Sequence, residues 1–362
     1  MRSMRVLAVG CAVAGLIIAT PAVASAKTAS PLPKTWTEAA LAPFNLEVDG
    51  TRVLVADGFT GDISALQPDG SLSPLVSGVA GASGVATRGA WLAYTSTVSV
   101  GGEDGEPGEN VQSGLDIRPP QGATVYADTH AYEAANNPDA SVWYGPADHS
   151  CMAGTEFGGH YGVVDSHAYS VASGNGVWYV ADAGGNDILR VTDGGAISTV
   201  AVLPPEAITV DESLIEQFGL DACMAGVYTF EPVPTDVEVG SDGQLYVTTL
   251  TGASELGFPA GQLWKIDPVT GAAQLLSGGF SGATNLALGK DGSIYVAELM
   301  GQGLSVYRSG TVSPFVALPG ALAVETGAGG TVWAATGGFL FGQPSQIVSI
   351  SNGKVKVQAK LH

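Results

Sequence analysis

Short apolar strands joined by tight turns recur along most of this chain, and no other feature limits the fold as strongly. The clearest unit spans residues 168–201 and contains four alternating segments with turns at 173–176 and 193–195. Units with the same order open near six positions, namely Pro43, Ala82, Ser166, Pro234, Ala283 and Ala321. A single unit of this length cannot bury its apolar faces, so the units must stack around an axis.

We therefore predict an all-β six-bladed β-propeller of four-stranded antiparallel blades, with seven blades as the alternative. Residues 43–362 would form this single domain. The N-terminal segment 27–42 would add an outer strand to the last blade, so that both termini close the ring and no long edge stays unpaired. Residues 130–137 are predicted to form one short helix that ends before Pro138.

The first 26 residues have the three parts of a secretory signal peptide. Arg2 and Arg5 form a basic start, residues 6–18 are apolar, and small residues at 24–26 provide a cleavage site. The apolar run is short for a membrane span, and a retained anchor is the alternative. We therefore predict an extracellular protein that begins at Lys27 and has no integral membrane association after cleavage.

The net charge of the chain indicates which classes of partner it can bind. With 14 basic and 34 acidic residues, the net charge is −20, which argues against nucleic acid because phosphate binding needs Lys and Arg. Solubility outside the cell explains the acidity, and an affinity for calcium is the other interpretation. We expect a monomer whose partner is a small molecule, a glycan or an extracellular protein.

Two cysteines remain after signal cleavage, and they occur in matching contexts. Cys151 and Cys223 each begin a Cys-Met-Ala-Gly sequence shortly before the first strands of the third and fourth units. Adjacent blades bring equivalent positions together, so we predict a disulfide between them in an oxidising compartment. Two buried free thiols are the alternative.

The long insertions of the repeat all fall at one edge of the blades. They follow second strands or precede first strands, whereas the Asp-Gly turns at the opposite edge are short. The insertions span residues 101–114, 134–165, 204–231, 251–261 and 337–345. We expect function on this elaborated face, which we call the top face, with packing alone as the alternative.

Polar residues at strand ends would line the central mouth of the top face. The predicted ligand-binding positions are Ser83, Asp165, His167, Thr235, Asp236, Thr284, Asn285 and Glu298. Oxygen ligands of this kind suit calcium, and Asp236 and Asn285 are the candidate metal ligands. The alternative is that these side chains only satisfy backbone groups. His167 and Glu298 are the candidate catalytic groups, and His160 is a further candidate base.

Several runs resemble the ScyD/ScyE family of secreted proteins, which is similar to NHL-repeat and SMP-30-like propellers. The runs are residues 161–171, 180–189, 198–205, 230–239 and 282–287. The resemblance implies a secreted propeller and no particular reaction. The wider superfamily contains calcium-dependent lactonases with a Glu/Asn/Asn/Asp metal set, to which only Asp236 and Asn285 correspond by their place at strand starts.

No catalytic motif of a known kind is present, since the chain lacks G-x-S-x-G, H-E-x-x-H and P-loop patterns. We therefore predict a binding or scaffold protein that acts through its top face. The alternative is a calcium-dependent hydrolase of a lactone or ester, in which a cation polarises the carbonyl and His167 or Glu298 transfers protons. Calcium is the only cofactor that we expect.

Overall fold

The computed structural model describes residues 41–101, 108–155 and 158–361. In that part of the chain, the strands form seven four-stranded sheets in which all neighbouring strands are antiparallel. Six of them take their strands in chain order, and we call these the first to sixth meander sheets. The seventh joins strands from two separate segments, and we call it the accessory sheet.

The meander sheets contain 24 of the 28 strands. The first contains β1 (Pro43–Asp49), β2 (Arg52–Asp57), β3 (Asp62–Leu66) and β4 (Leu72–Val76). The second contains β5 (Val85–Arg88), β6 (Trp91–Val100), β7 (Glu109–Arg118) and β8 (Val125–Asp128). The third contains β11 (Ala168–Ser173), β12 (Val177–Asp182), β13 (Asp187–Thr192) and β14 (Ile197–Val202).

The other three meander sheets have the same plan. The fourth contains β17 (Pro234–Val239), β18 (Leu245–Thr249), β19 (Gly261–Ile266) and β20 (Ala273–Phe280). The fifth contains β21 (Ala283–Leu288), β22 (Ile294–Glu298), β23 (Gly303–Arg308) and β24 (Thr311–Ala317). The sixth contains β25 (Ala321–Thr326), β26 (Val332–Thr336), β27 (Ser345–Ser351) and β28 (Lys354–Leu361).

The accessory sheet and the helices are built from the insertions. The sheet has the order β10-β9-β16-β15, formed by β9 (Trp143–Pro146), β10 (His160–Tyr161), β15 (Glu206–Val210) and β16 (Gly226–Phe230). The α-helices are α1 (Thr129–Asn136) and α2 (Glu212–Phe218). Short 3-10 helices occupy Ala222–Met224, Gly252–Leu256, Ala328–Gly330 and Gly338–Phe341. No helix in the described ranges is long and apolar enough to cross a membrane.

The Asp-Gly turns form for a local reason. Between β21 and β22, the Asp291 carboxylate accepts the backbone N–H of Ser293 at 3.1 Å, and Gly292 has a φ of +82° that disfavours a side chain. The turn between β17 and β18 repeats this geometry at Asp242 and Gly243. These hairpins were therefore predictable from a few residues each.

The first strands of the six meander sheets contact one another in a closed cycle. In chain order, β1 packs against β5, β5 against β11, β11 against β17, β17 against β21 and β21 against β25, which returns to β1. This arrangement is a β-propeller, and the predicted all-β propeller class is confirmed. The structure nevertheless holds seven four-stranded sheets, where the prediction favoured six blades and kept seven as the alternative.

The two ends of the described chain meet between the sixth and first meander sheets. Leu46 and Val55 pack there against Ile347, Ala359 and Leu361. Among the described strands, β28 pairs with β27 alone, and the segment 27–42 that was predicted to add an outer strand lies outside the described residues except for residues 41 and 42.

In the insertions, the structure contains the predicted helix and differs from the sequence prediction in two respects. The predicted helix is present as α1, where the Asp128 carboxylate accepts the N–H of Ala131 at 2.8 Å as an N-cap. The predicted loop at 101–114 is shorter, because β7 already begins at Glu109 and pairs with β6. Helix α2 was not predicted.

Candidate functional site

The accessory sheet lies at the edge where first strands begin, because its strands precede β11 and β17 in the chain. The first insertion supplies β9 and β10, and the second supplies β15 and β16; β9 pairs with β16 to join them. Cys151 and Cys223 form a disulfide with their Cα atoms 5.6 Å apart, which confirms the predicted pairing. Hydrogen bonds and a covalent bond therefore hold the two insertions together.

The accessory sheet has one buried and one exposed face. Tyr144 and Tyr228 are buried, and the Tyr144 hydroxyl donates to Asp139 at 3.0 Å. On the opposite face, Tyr161 is 51% exposed and Val227 is 46% exposed. Alternation of this kind is expected when one face of a sheet packs on the protein and the other meets solvent.

Aromatic rings cluster on the exposed face of this sheet. The ring of Trp143 stacks on His149 with centroids 3.7 Å apart and meets the edge of Tyr161 at 5.2 Å. The indole N–H of Trp143 donates to the carbonyl of Pro146 at 2.9 Å, which fixes the ring. We call Trp143, His149 and Tyr161 the aromatic cluster; sequence reasoning did not find it, because its members come from β9, a loop and β10.

Three predicted ligand-binding hydroxyls make equivalent hydrogen bonds between neighbouring first strands. Thr235 donates to the carbonyl of Ala283 at 2.9 Å, and Thr284 approaches the equivalent carbonyl of Ala321 at 3.4 Å and the next one, of Leu322, at 2.8 Å. Ser83 makes the corresponding contact with the carbonyl of Ala168 at 3.4 Å. All three hydroxyl residues are buried, so they have structural partners on the adjacent sheet.

The candidate metal ligands also bridge neighbouring sheets. The Asp236 carboxylate accepts the backbone N–H of Leu286 at 2.8 Å, and the Asn285 carbonyl oxygen accepts that of Val324 at 2.7 Å. Asn45 contacts the N–H of Val85 in the same way. Burial raises the pKa of Asp236 to about 7. These bonds, which we call the inter-sheet hydrogen bonds, recur at one position of the repeat.

His167 lies directly before β11 and is 2% exposed. Neither ring nitrogen has a hydrogen-bond partner, and burial lowers the imidazole pKa to about 4, so the ring is neutral near pH 7. Its neighbour Tyr169 packs with apolar residues at strand starts and ends around the mouth. This cluster includes Phe44, Val233, Leu250, Leu299 and Leu322. Apolar side chains therefore occupy much of the predicted polar mouth.

The remaining candidate residues, Asp165, Glu298 and His160, each contact different partners. Asp165 accepts the side-chain amide of Asn110 at 3.0 Å, and Glu298 accepts the backbone N–H of Ser281 at 2.7 Å and the hydroxyl of Ser305. His160 lies on β10 with its ring 5.8 Å from that of Tyr144. The structure thus places His167 at the start of β11 and His160 in the accessory sheet.

A group of buried carboxylates lies beneath the accessory sheet, where Asp139 contacts Tyr144. We call Glu133, Asp139, Asp182 and Asp187 the carboxylate cluster; each is at most 2% exposed. Burial and mutual repulsion raise the pKa of Glu133 to about 8, and burial raises that of Asp182 to about 6. The same causes raise the pKa of Asp187 well above its ordinary value.

No protein-family model and no curated protein matches the sequence. Solved structures are similar in fold. A catalytically inactive virginiamycin B lyase from Staphylococcus aureus with quinupristin has a TM-score of 0.51 and 16% identity, covering 89% of this chain and 86% of that chain. A streptogramin B lyase matches with a TM-score of 0.51 and 16% identity over 89% and 84% of the two chains. A nidogen/laminin complex matches with a TM-score of 0.51 and 10% identity over 86% and 94%.

At these identities the likeness shows a shared fold alone, and that fold agrees with the predicted β-propeller. Function must therefore be argued from the chain's own side chains. In the described ranges, no three His, Cys, Asp or Glu side chains stand ready to hold a metal ion. The accessible chemistry lies in the aromatic cluster, and the carboxylate cluster is buried beneath the same sheet.

Proposed function

We propose that this chain is a secreted propeller that binds an extracellular glycan through the exposed face of its accessory sheet. The observation that carries the proposal is the aromatic cluster on a sheet whose two halves are joined by a disulfide. Flat aromatic faces stack against the apolar faces of sugar rings, and exposed aromatic groups on a rigid support lose little entropy on binding.

Secretion is part of this proposal. The signal-like segment 1–26 would be removed, leaving a chain that begins at Lys27, and the Cys151–Cys223 disulfide fits an oxidising compartment. The resemblance to the ScyD/ScyE family points the same way. Mass spectrometry of protein recovered from culture medium should give an N-terminus at Lys27, and a retained leader would contradict secretion by cleavage.

We also propose that the six meander sheets are the blades and that the accessory sheet is an addition to the top face. The first strands of the meander sheets complete the ring by themselves. The accessory sheet has the order β10-β9-β16-β15, so it does not repeat the plan of a blade.

The binding surface can be tested on a printed glycan array with the purified mature protein. We expect retention on a subset of glycans and a loss of about fivefold or more in affinity for Tyr161→Ala, because one stacked ring contributes about 1 kcal/mol or more. Tyr126→Ala is the matched control, since Tyr126 is an exposed tyrosine on β8 outside the accessory sheet. Equal retention of all three proteins, or of none, would contradict the proposal.

A calcium-dependent lactonase or esterase is the alternative function, with Asp236 and Asn285 as ligands and His167 or Glu298 as proton carrier. The neutral, unpartnered imidazole of His167 favours it. We place it second, because the oxygens of Asp236 and Asn285 already accept backbone N–H groups. Hydrolysis of a lactone and ester panel in calcium, lost in His167→Ala, would reverse this order.

A further inference from the structure

The carboxylate cluster joins two parts of the chain that are distant in sequence, residues 133–139 and 182–187. Glu133 lies on α1, Asp139 lies between α1 and β9, and Asp182 and Asp187 face each other across the turn from β12 to β13. Asp139 also accepts hydrogen bonds from Tyr144 of the accessory sheet and from Asn186 of that turn, at 3.0 and 3.1 Å. The cluster therefore lies where the insertions rest on the third meander sheet.

Several oxygens of the cluster lack the partners that buried carboxylates require. Glu133 Oε1, Asp139 Oδ1 and Asp187 Oδ1 are buried and accept no hydrogen bond. The ion pairs found among the described residues use Arg52, Arg88, Lys265 and Arg308, and none of them reaches the cluster. Unpaired charges of one sign are costly to bury unless a proton or a cation neutralises them.

The carboxylates converge around one glycine. A Cβ atom placed on Gly185 would lie 3.4 Å from Glu133 Oε2, 3.5 Å from Asp187 Oδ1 and 3.5 Å from the carboxyl carbon of Asp182. Three side chains from three elements, α1, β12 and β13, thus lie around a point that the sequence leaves without a side chain. Asp182 is held there by its bonds to Ser166, His167 and Gly185.

We propose that the carboxylate cluster binds one calcium ion, which fastens α1 and the accessory sheet to the third meander sheet. Glu133 and Asp187 each have a buried oxygen that accepts no hydrogen bond and are the principal ligands, and Asp139 and Asp182 support them. Because no three of these side chains already stand in ligand geometry, calcium binding requires them to adjust their positions.

Calcium fits this donor set better than other metals. All the donors are carboxylate oxygens, which suit hard cations, whereas zinc and copper favour sites with His or Cys. Calcium accepts six to eight oxygens in irregular geometry, and magnesium demands a near-ideal octahedron. The site is distinct from the alternative at Asp236 and Asn285, which lie on β17 and β21.

The test is calcium titration by calorimetry of mature protein that has been treated with EDTA and dialysed. We expect one calcium per chain and a rise in Tm with calcium concentration, because the ion binds only the folded state. Glu133→Gln and Asp187→Asn should each weaken binding at least tenfold. Both are neutral substitutions of the same shape that remove repulsion, so both variants should stay folded in EDTA.

Two controls separate this site from the others. Asp62→Asn changes the residue that faces Asp57 across the corresponding turn of the first meander sheet, and it should leave calcium affinity unchanged. Asp236→Asn should also leave it unchanged. Absence of calcium binding by the wild-type protein, or binding retained in both Glu133→Gln and Asp187→Asn, would overturn the proposal; loss only in Asp236→Asn would assign the ion to the central mouth instead.

Discussion

Asn285 illustrates how one polar residue at the centre of the ring can be structural. Its carbonyl oxygen accepts the N–H of Val324 at 2.7 Å, and Ala323 occupies the equivalent position one sheet later, so an alanine is sterically tolerated there. We expect Asn285→Ala to lower the free energy of unfolding by about 2 kcal/mol, because it leaves a buried N–H without its partner.

Chemical denaturation measures this loss. Asn136→Ala, on the exposed side of α1, serves as the control and should change the free energy of unfolding by about 0.5 kcal/mol or less. If Asn285→Ala were as stable as the wild-type protein, this inter-sheet hydrogen bond would contribute nothing to the free energy of unfolding, and a role of Asn285 as a metal ligand would be favoured.

Glu133 provides a prediction about pH. Burial, together with the carboxylates of Asp182, Asp139 and Asp165, raises its pKa from 4.5 to about 8. The folded state therefore favours protonated Glu133, and this contribution to stability is present below pH 4.5 and lost as pH rises toward 8. In EDTA we expect Tm to fall between pH 5 and 8, with a smaller fall in Glu133→Gln.

Thermal unfolding across this pH range checks the slope. Glu212→Gln, at an exposed position on α2, should keep the wild-type slope. Identical slopes in Glu133→Gln and the wild-type protein would show that Glu133 does not titrate in this range.

At the residue scale, sequence reasoning predicted the polar strand starts but not what they contact. The pattern of Thr235, Asp236, Thr284 and Asn285 was legible because each stands at the start of a repeated strand. Their partners lie on the next sheet, and a single sequence does not show which backbone groups two sheets exchange. The carboxylate cluster was missed because its members come from α1, a loop and a hairpin turn.

At the scale of elements, the disulfide makes a prediction about the accessory sheet. Cys151 and Cys223 are 72 residues apart, and the link limits the separation of two insertions that are otherwise joined mainly by the short β9–β16 pairing. In a Cys151→Ser, Cys223→Ser double variant, we expect faster amide hydrogen exchange in β15 and β16.

Exchange in β12 and β13 should stay unchanged, since those strands lie in the core of the third meander sheet. Equal exchange of β16 in both proteins would mean that packing alone holds the accessory sheet.

The elements also show where sequence reasoning stops. Hairpins such as β17–β18 and β21–β22 were predicted because their turns and alternation lie within about 15 residues. The accessory sheet was not predicted, because β10 has only two residues and the β9–β16 pairing joins residues more than 80 positions apart. Nonlocal pairing of short strands leaves no periodic signal in one sequence.

At the scale of the molecule, closure of the ring depends on the last strand. Leu361 is 5% exposed and packs with Ala359 against Leu46 and Val55 of the first meander sheet. We expect Leu361→Ala to lower the free energy of unfolding by about 2 to 3 kcal/mol through a cavity at this seam. Val357→Ala, at a 44% exposed position on the same strand, should cost about 0.5 kcal/mol or less.

Urea denaturation of both variants decides this point. Equal stability of Leu361→Ala and Val357→Ala would show that the seam between the sixth and first meander sheets does not depend on the C-terminal strand.

Because the accessory sheet is assembled from two insertions, its surface cannot be transferred to another propeller as a single loop. Its inner strands, β9 and β16, belong to different insertions. Removing either insertion would therefore leave the other with an unpaired strand edge and an unpaired cysteine. A transplant into another ring would have to carry both insertions with the third meander sheet between them. The surface is thus inherited, or engineered, as a pair of loops and the sheet that spaces them.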